Sequence, residues 1–161
     1  MNIIAAVQDG GGIGYQNQLL FTIPQDMAHF KATTMGKVVV MGRKTLDSLP
    51  GGKPLPGRTN VVLTQSVAAI PEVIVVRSIP HLLEILAPYP PQDVFVIGGG
   101  EVYAQLLPYC NRAYITEVTA TPPKPADSFF PALSSTWQMV SQSLQADYEE
   151  MRYRFCVYEK V

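Results

Sequence analysis

The sequence predicts an α/β fold: a mainly parallel central sheet of about eight strands, an antiparallel C-terminal edge strand, and about four flanking helices. Short apolar runs rich in β-branched residues recur along the 161 residues and end in glycine or polar turns. Helical segments lie between several of these runs, the alternation expected of parallel strands with crossover helices. Apolar residues make up 47% of the chain and charged residues only 16%, below the usual ~25%, which fits strands buried on both faces.

The elements follow in order. The runs "NIIAAV", "KVVVMG", "NVVLT", "VIVV", "DVFVIGGG" and "AYITEV" are too short for helices and match doubly buried strands. Pro24 to Met35 reads as a helix stopped by Gly36, with Thr22 as its cap and Gln25 completing a capping box. Ile23, Met27, Phe30 and Thr34 recur at helical spacing and predict its buried stripe. Further helices are "GRKTLDSL", "SIPHLLEIL" with Ser78 as cap, and "EVYAQLL". Towards the C-terminus, "TWQMVSQSL" and "YRFCVYEKV" are joined only by the turn-like "QADYEE" and read as an antiparallel hairpin on the sheet edge. The Pro/Gly-rich stretches 50–57 and 121–131 read as ordered surface loops, so residues 1–161 are expected to form one domain.

Bulk properties remove several function classes. A net charge of -1 without charged blocks gives no electrostatic support for nucleic-acid or membrane-surface binding. No apolar run reaches the length of a membrane span, and the N-terminus lacks the pattern of a signal peptide. Cys110 and Cys156 are isolated, and His29 and His81 stand apart, so no metal site is expected and a reduced, cytoplasmic protein is.

In open α/β sheets, ligands bind beyond the carboxyl ends of the strands. After "NIIAAV" comes the long glycine-rich "QDGGGIGYQNQLL", a candidate lid. "GRKT" and "GGGEVY" open helices after two other strands, where backbone N–H groups can hold a phosphate. Arg43, Lys44 and Arg77 fall at strand ends, near enough for one polyphosphate. Tyr103 stands where the dinucleotide fingerprint needs its last glycine, and "GRKT" lacks the Gly-Lys-Thr order of a P-loop. Asp26 is ambiguous at this level: an acid in the first turn of a helix, favoured by the macrodipole, or a working carboxylate beside an apolar surface.

Six segments taken together resemble the dihydrofolate reductase family: "IAAVQDGGGIGYQNQL", "IPQDMAHFK", "VVVMGRKT", "LPGRTNVVLT", "VFVIGGGEVY" and "YITEV". They occur in the family's order over nearly the whole chain. The resemblance implies a monomeric, cytoplasmic, NADPH-dependent reductase of dihydrofolate, with antifolate inhibitors as further ligands. It implies a catalytic set of Asp26, Leu19, Phe21 and Thr116, with Asp26 bonded to the pterin and Thr116 linking it to the pterin amino group. Arg58 would clamp the substrate's glutamate carboxylate, and Ile4, Met27, Phe30, Leu49, Leu55 and Ile97 would wall the pterin and benzoyl groups. Ala5, Lys31 and Tyr103 complete the implied substrate surface.

For the cofactor, the resemblance implies backbone contacts from Ala6 and Ile13 to the nicotinamide amide, with Gly14, Asn17, Gln18 and Leu19 on the lid above. Lys44, Thr45 and the Gly98-Gly99-Gly100 turn would hold the pyrophosphate, with Gly42, Val102 and Ile97 adjoining. Arg43, Leu63, Thr64, Gln65, Arg77 and Glu101 would surround the adenosine and its 2′-phosphate. The family's first two glycines of that turn are joined by a cis peptide. The chain departs from the family pattern at Phe21, usually tryptophan, at Leu20, often proline, and at Gln65 and Glu101. A related reductase of a riboflavin precursor should lack the Asp26 and Arg58 pair, which this chain has. A non-catalytic pterin- or nucleotide-binding protein is the other alternative.

Overall fold

A computed structural model of the chain describes residues 1–66 and 69–161. Its main sheet runs in the order β10-β12-β8-β1-β7-β4-β5-β6. Six of these strands are parallel: β1 (Asn2–Gln8), β4 (Val38–Gly42), β5 (Thr59–Leu63), β6 (Ile74–Val76), β7 (Val94–Gly98) and β8 (Arg112–Ala120). The apolar runs are continuous because both faces of the sheet are covered. Val38 and Val40 pack with Leu82 of helix α3 (Ile79–Leu86) and Leu106 of α4 (Gly100–Leu106). The alternate residues Val39 and Met41 pack with Leu46 of α2 (Arg43–Ser48) on the other side. Each fully buried valine is worth about 1.5–3 kcal/mol of transfer free energy, so the pattern itself fixes strand register.

Strand order sets the position of the site. β1 and β7 are neighbours, yet β1 leads through α1 (Pro24–Thr34) to β4 on one side, while β7 leads through α4 to β8 on the other. Connections that diverge from adjacent parallel strands leave a crevice between their carboxyl ends. Here β7 ends at Ile97 and Gly98, beside Ala5 and Ala6 of β1.

Several local expectations need correction. Ile23, not Thr22, is the N-cap of α1, and no side chain caps it. Pro24 holds the first helical position, which fixes the helix start without a capping box. The α1 stripe is buried only at its ends, Ile23 and Thr34; Met27 is 48% exposed and Phe30 is half-buried. The middle of that face is open to solvent instead of packed in the core. The C-terminal strand β12 (Met151–Lys160) is not the edge: it is paired on both sides, with β8 and with β10 (Trp137–Gln142), which is the edge strand. Within the turn-like segment, β11 (Ala146–Tyr148) also pairs with β12. The Ser78 cap holds, its hydroxyl accepting from the His81 N–H at 3.2 Å.

The glycine-rich lid and the 121–131 loop contain short strands that the sequence did not signal. β2 (Gly12–Tyr15), β3 (Gln18–Leu19) and β9 (Ser128–Phe129) form a second, three-stranded sheet in the order β3-β2-β9. That sheet ties the lid to the later loop. Among the described residues, no helix is long and apolar enough to cross a membrane.

Candidate active site

Asp26 sits on the first turn of α1 and accepts a hydrogen bond from Thr116 Oγ1 at 2.7 Å. Thr116 is buried in the middle of β8, so the pair joins helix to sheet at the side of the crevice. Burial pushes the Asp26 carboxyl above its ordinary value, and the Thr116 bond and the charge of His29 only partly offset this. His29, one turn further along α1, is held below its ordinary value by burial, with Asp26 acting in the opposite direction. Its ring stacks on Phe155 of β12 at 4.2 Å between centroids. Phe155 is the register partner of Thr116, so these four side chains close a ring around α1, β8 and β12.

The crevice itself is lined by Ala5 and Ala6 of β1, by Ile13, Gly14, Asn17, Gln18 and Leu19 of the lid, and by Thr45, Ile97, Gly98, Gly99 and Tyr103. Its floor is a turn in which Gly98 and Gly99 are joined by a cis peptide. Gly98 has φ +139°, and a Cβ there would lie 3.2 Å from Thr45 Oγ1. At Gly100 a Cβ would stand 2.9 Å from Ser128 Oγ and 3.0 Å from Phe129 O. Only glycine fits this floor, which leaves backbone rather than side chain facing the crevice. Tyr103 is buried and donates to Ile4 O at 2.7 Å; burial, with Asp26 adding to it, pushes its hydroxyl well above the ordinary range. The hydroxyl therefore stays protonated and locks α4 to β1.

The sequence motifs pointed to a part-buried carboxylate bonded to the strand next to β1, and to a crevice at the sheet switch point with a glycine floor. The family model for dihydrofolate reductase matches residues 1–160. The chain belongs to the dihydrofolate reductase family. It is 38% identical to the dihydrofolate reductase of Mycobacterium tuberculosis over 99% of this chain and 98% of the relative. It is 35% identical to that of Bacillus subtilis, covering 99% and 94%, and 39% identical to the type 3 dihydrofolate reductase of Salmonella typhimurium, covering 89% and 86%.

The other residues implied by the dihydrofolate reductase motifs are distributed as follows. Leu49, Leu55 and Ile97 are partly buried against the cluster of Val39, Met41, Leu46 and Val62. Arg58 donates from Nε and Nη2 to Pro56 O, at 3.0 and 2.9 Å, and from Nη1 to Thr34 Oγ1 at 3.2 Å. These bonds fix the guanidinium, and burial lowers its pKa. On the far side, β4, β5 and β6 run parallel, with Gly42 opposite Leu63 and Leu63 opposite Val76. Arg43, Thr64 and Arg77 directly follow those three residues, so the register sets them side by side. Arg77 Nη1 donates to Gln65 O at 3.4 Å, and Arg43 Nε pairs with Asp47 at 3.0 Å. Lys31, Lys44 and Glu101 are exposed, and Val102 is buried against Gly42. Leu19 lines the crevice although 69% exposed, whereas Phe21 lies in a buried cluster with Ile23, Val118 and Tyr153.

The crevice also contains residues that sequence reasoning missed: Tyr15, Ser48, Asp127 and Ser128. Asp127 accepts from the Gln16 N–H at 3.1 Å and its own N–H donates to Gly14 O at 3.0 Å, so it holds the lid's tip. Asn60 was missed too. Its buried side chain bonds both the N–H and the C=O of Leu55, each at 2.9 Å, which shapes the loop carrying Arg58. Asp127 carried a signal, an acid set among prolines and aromatics in "PADSFFP"; Asn60 carried none.

Proposed function

We propose that this chain reduces 7,8-dihydrofolate to tetrahydrofolate with NADPH, as a monomeric, single-domain, cytoplasmic enzyme. The observation that carries the reading is the Thr116–Asp26 pair beside the Gly98–Gly99 floor. The glycine floor fits a dinucleotide pyrophosphate, because a Cβ at Gly98 would crowd Thr45 and one at Gly100 would crowd Ser128. Thr45 and Gly98 to Gly100 would hold that pyrophosphate, with Lys44 as a nearby cation. Ala6 and Ile13 would meet the nicotinamide, and Arg43, Thr64, Gln65 and Arg77 the adenosine phosphate. When bound, NADPH supplies the hydride.

The chain's own groups do the rest. Asp26 accepts two parallel N–H bonds from the pterin edge, as one carboxylate can, and so fixes which ring face is presented. Thr116 Oγ1, bonded to Oδ1, sets the orientation of that carboxylate. Reduction consumes a proton, so turnover should fall as pH rises through the apparent pKa of the enzyme–substrate system, which burial of Asp26 moves upward. Ile4, Ala5, Phe30 and the loop residues Leu49 and Leu55 exclude water from the ring. Met27, Lys31 and Arg58 face outward, where the substrate's tail would leave, and the Arg58 fork suits a carboxylate. Leu19 and the lid close over the reacting centre, and alignment of two rings is worth up to ~7–11 kcal/mol. Antifolates would occupy the same slot.

Purified protein should oxidise NADPH only when dihydrofolate is added, which a spectrophotometric assay measures. Oxidation that ignores dihydrofolate, or none at all, would end this reading.

A further inference from the structure

Lys124 lies in the 121–131 segment and takes no part in the chemistry above. Its main chain is clamped by one side chain: the Lys124 N–H donates to Gln8 Oε1 at 2.8 Å, and its C=O accepts from Gln8 Nε2 at 2.9 Å. Gln8 ends β1 and is only 7% exposed, so a buried amide with both ends satisfied fixes the Lys124 backbone to the central sheet. From there the Lys124 ammonium reaches back to the lid. It donates to Leu20 O at 3.0 Å and stands 5.6 Å from the centre of the Phe21 ring.

Leu20 and Phe21 close the lid loop and are both buried, in a cluster against which Ala126 also packs. A phenyl ring has no N–H to offer, but its face attracts a cation. Carbonyl and ring therefore share one ammonium at the point where the lid rejoins α1. The lid's tip is held separately, by Asp127 on Gln16 and Gly14.

We propose that Lys124 is a positioning residue for the lid: anchored by Gln8, its ammonium locks the lid base at Leu20 and Phe21 and thereby sets Leu19 over the crevice. The consequence for turnover rests on the reductase reading; the clamp itself does not. Lys124→Met keeps the apolar stem and removes the charge and the donor, while Lys124→Arg keeps both. Amide hydrogen exchange of the protein without ligands should quicken about tenfold at residues 17–21 in Lys124→Met, the scale of one net hydrogen bond to a charged group. The central strands β4 and β5 should be unaffected, and arginine should restore the original rates.

In single-turnover reduction of dihydrofolate, Lys124→Met should lose about tenfold in the hydride-transfer rate constant with little change in the Michaelis constants, and arginine should recover it. Unchanged exchange at 17–21, faster exchange spread evenly over the chain, or no recovery with arginine would overturn the clamp. Faster exchange with normal turnover would overturn the positioning role. If the unsubstituted protein fails to reduce dihydrofolate, the reductase reading falls while the exchange result still decides the clamp.

Discussion

Thr116 Oγ1 donates to Asp26 Oδ1 at 2.7 Å, a bond that spans 90 residues of sequence and links α1 to the centre of β8. Because the bond favours the charged carboxylate, Thr116→Val should raise the Asp26 pKa further. The high-pH fall in kcat/KM should then move to higher pH, as a pH–rate profile measures. An unmoved midpoint would mean the hydroxyl does not act on the reacting carboxylate.

Asp26 also bears on stability. Its pKa in the folded protein is raised, so relative to the unfolded chain the folded form gains stability below about 3.8, the ordinary value, and loses it as pH rises through the folded pKa. Asp26→Asn keeps an acceptor for Thr116 and removes this loss. Its Tm at neutral pH should therefore rise, with 1 kcal/mol corresponding to roughly 2–4 °C in a chain of this size. The difference from the unsubstituted protein should shrink as pH falls below the folded pKa, which thermal melts across pH would record.

His29 stacks on Phe155 and its charge lowers the Asp26 pKa, while Asp26 raises that of His29. The coupling is mutual. In Asp26→Asn the His29 ring should titrate at lower pH than in the unsubstituted protein, as NMR of its ring protons would follow. A His29 titration indifferent to Asp26 would show the two groups to be uncoupled.

Arg58 is held by Pro56 O and Thr34 Oγ1, which leaves one N–H on each of Nη1 and Nη2 unbonded among the described residues. Arg58→Lys cannot present that fork. The Michaelis constant for dihydrofolate should rise roughly 10- to 100-fold, the worth of a charge-assisted pair, with kcat little changed. A pterin substrate lacking the glutamate should be indifferent, and steady-state kinetics on both substrates checks it.

What could be read from the sequence follows from how each feature is encoded. Strands β1, β4, β5, β7 and β8 were legible because burial on two faces demands an unbroken apolar run. Strands β2, β3 and β9 were not: they are two to four residues long, held by each other, and too short to show a hydrophobic period. Thr22 failed as a cap because Pro24 dictates the helix start by backbone geometry. Met27 failed as core because helical spacing marks a face without saying whether it meets protein or solvent. The motifs brought Asp26, Thr116 and Gly98 to one place, but the Gln8–Lys124 contact spans 116 residues and leaves no mark in either local segment.

The central claim is that Asp26 is the working carboxylate of a reductase rather than an acid favoured by a helix start. Turnover of dihydrofolate by Asp26→Asn, measured at neutral and at low pH alongside NADPH affinity, tests it most directly. The account predicts a loss of roughly 10²–10⁴-fold at neutral pH, shrinking as pH falls and solvent protonates the substrate, with NADPH affinity little changed. Near-normal turnover at neutral pH would contradict it.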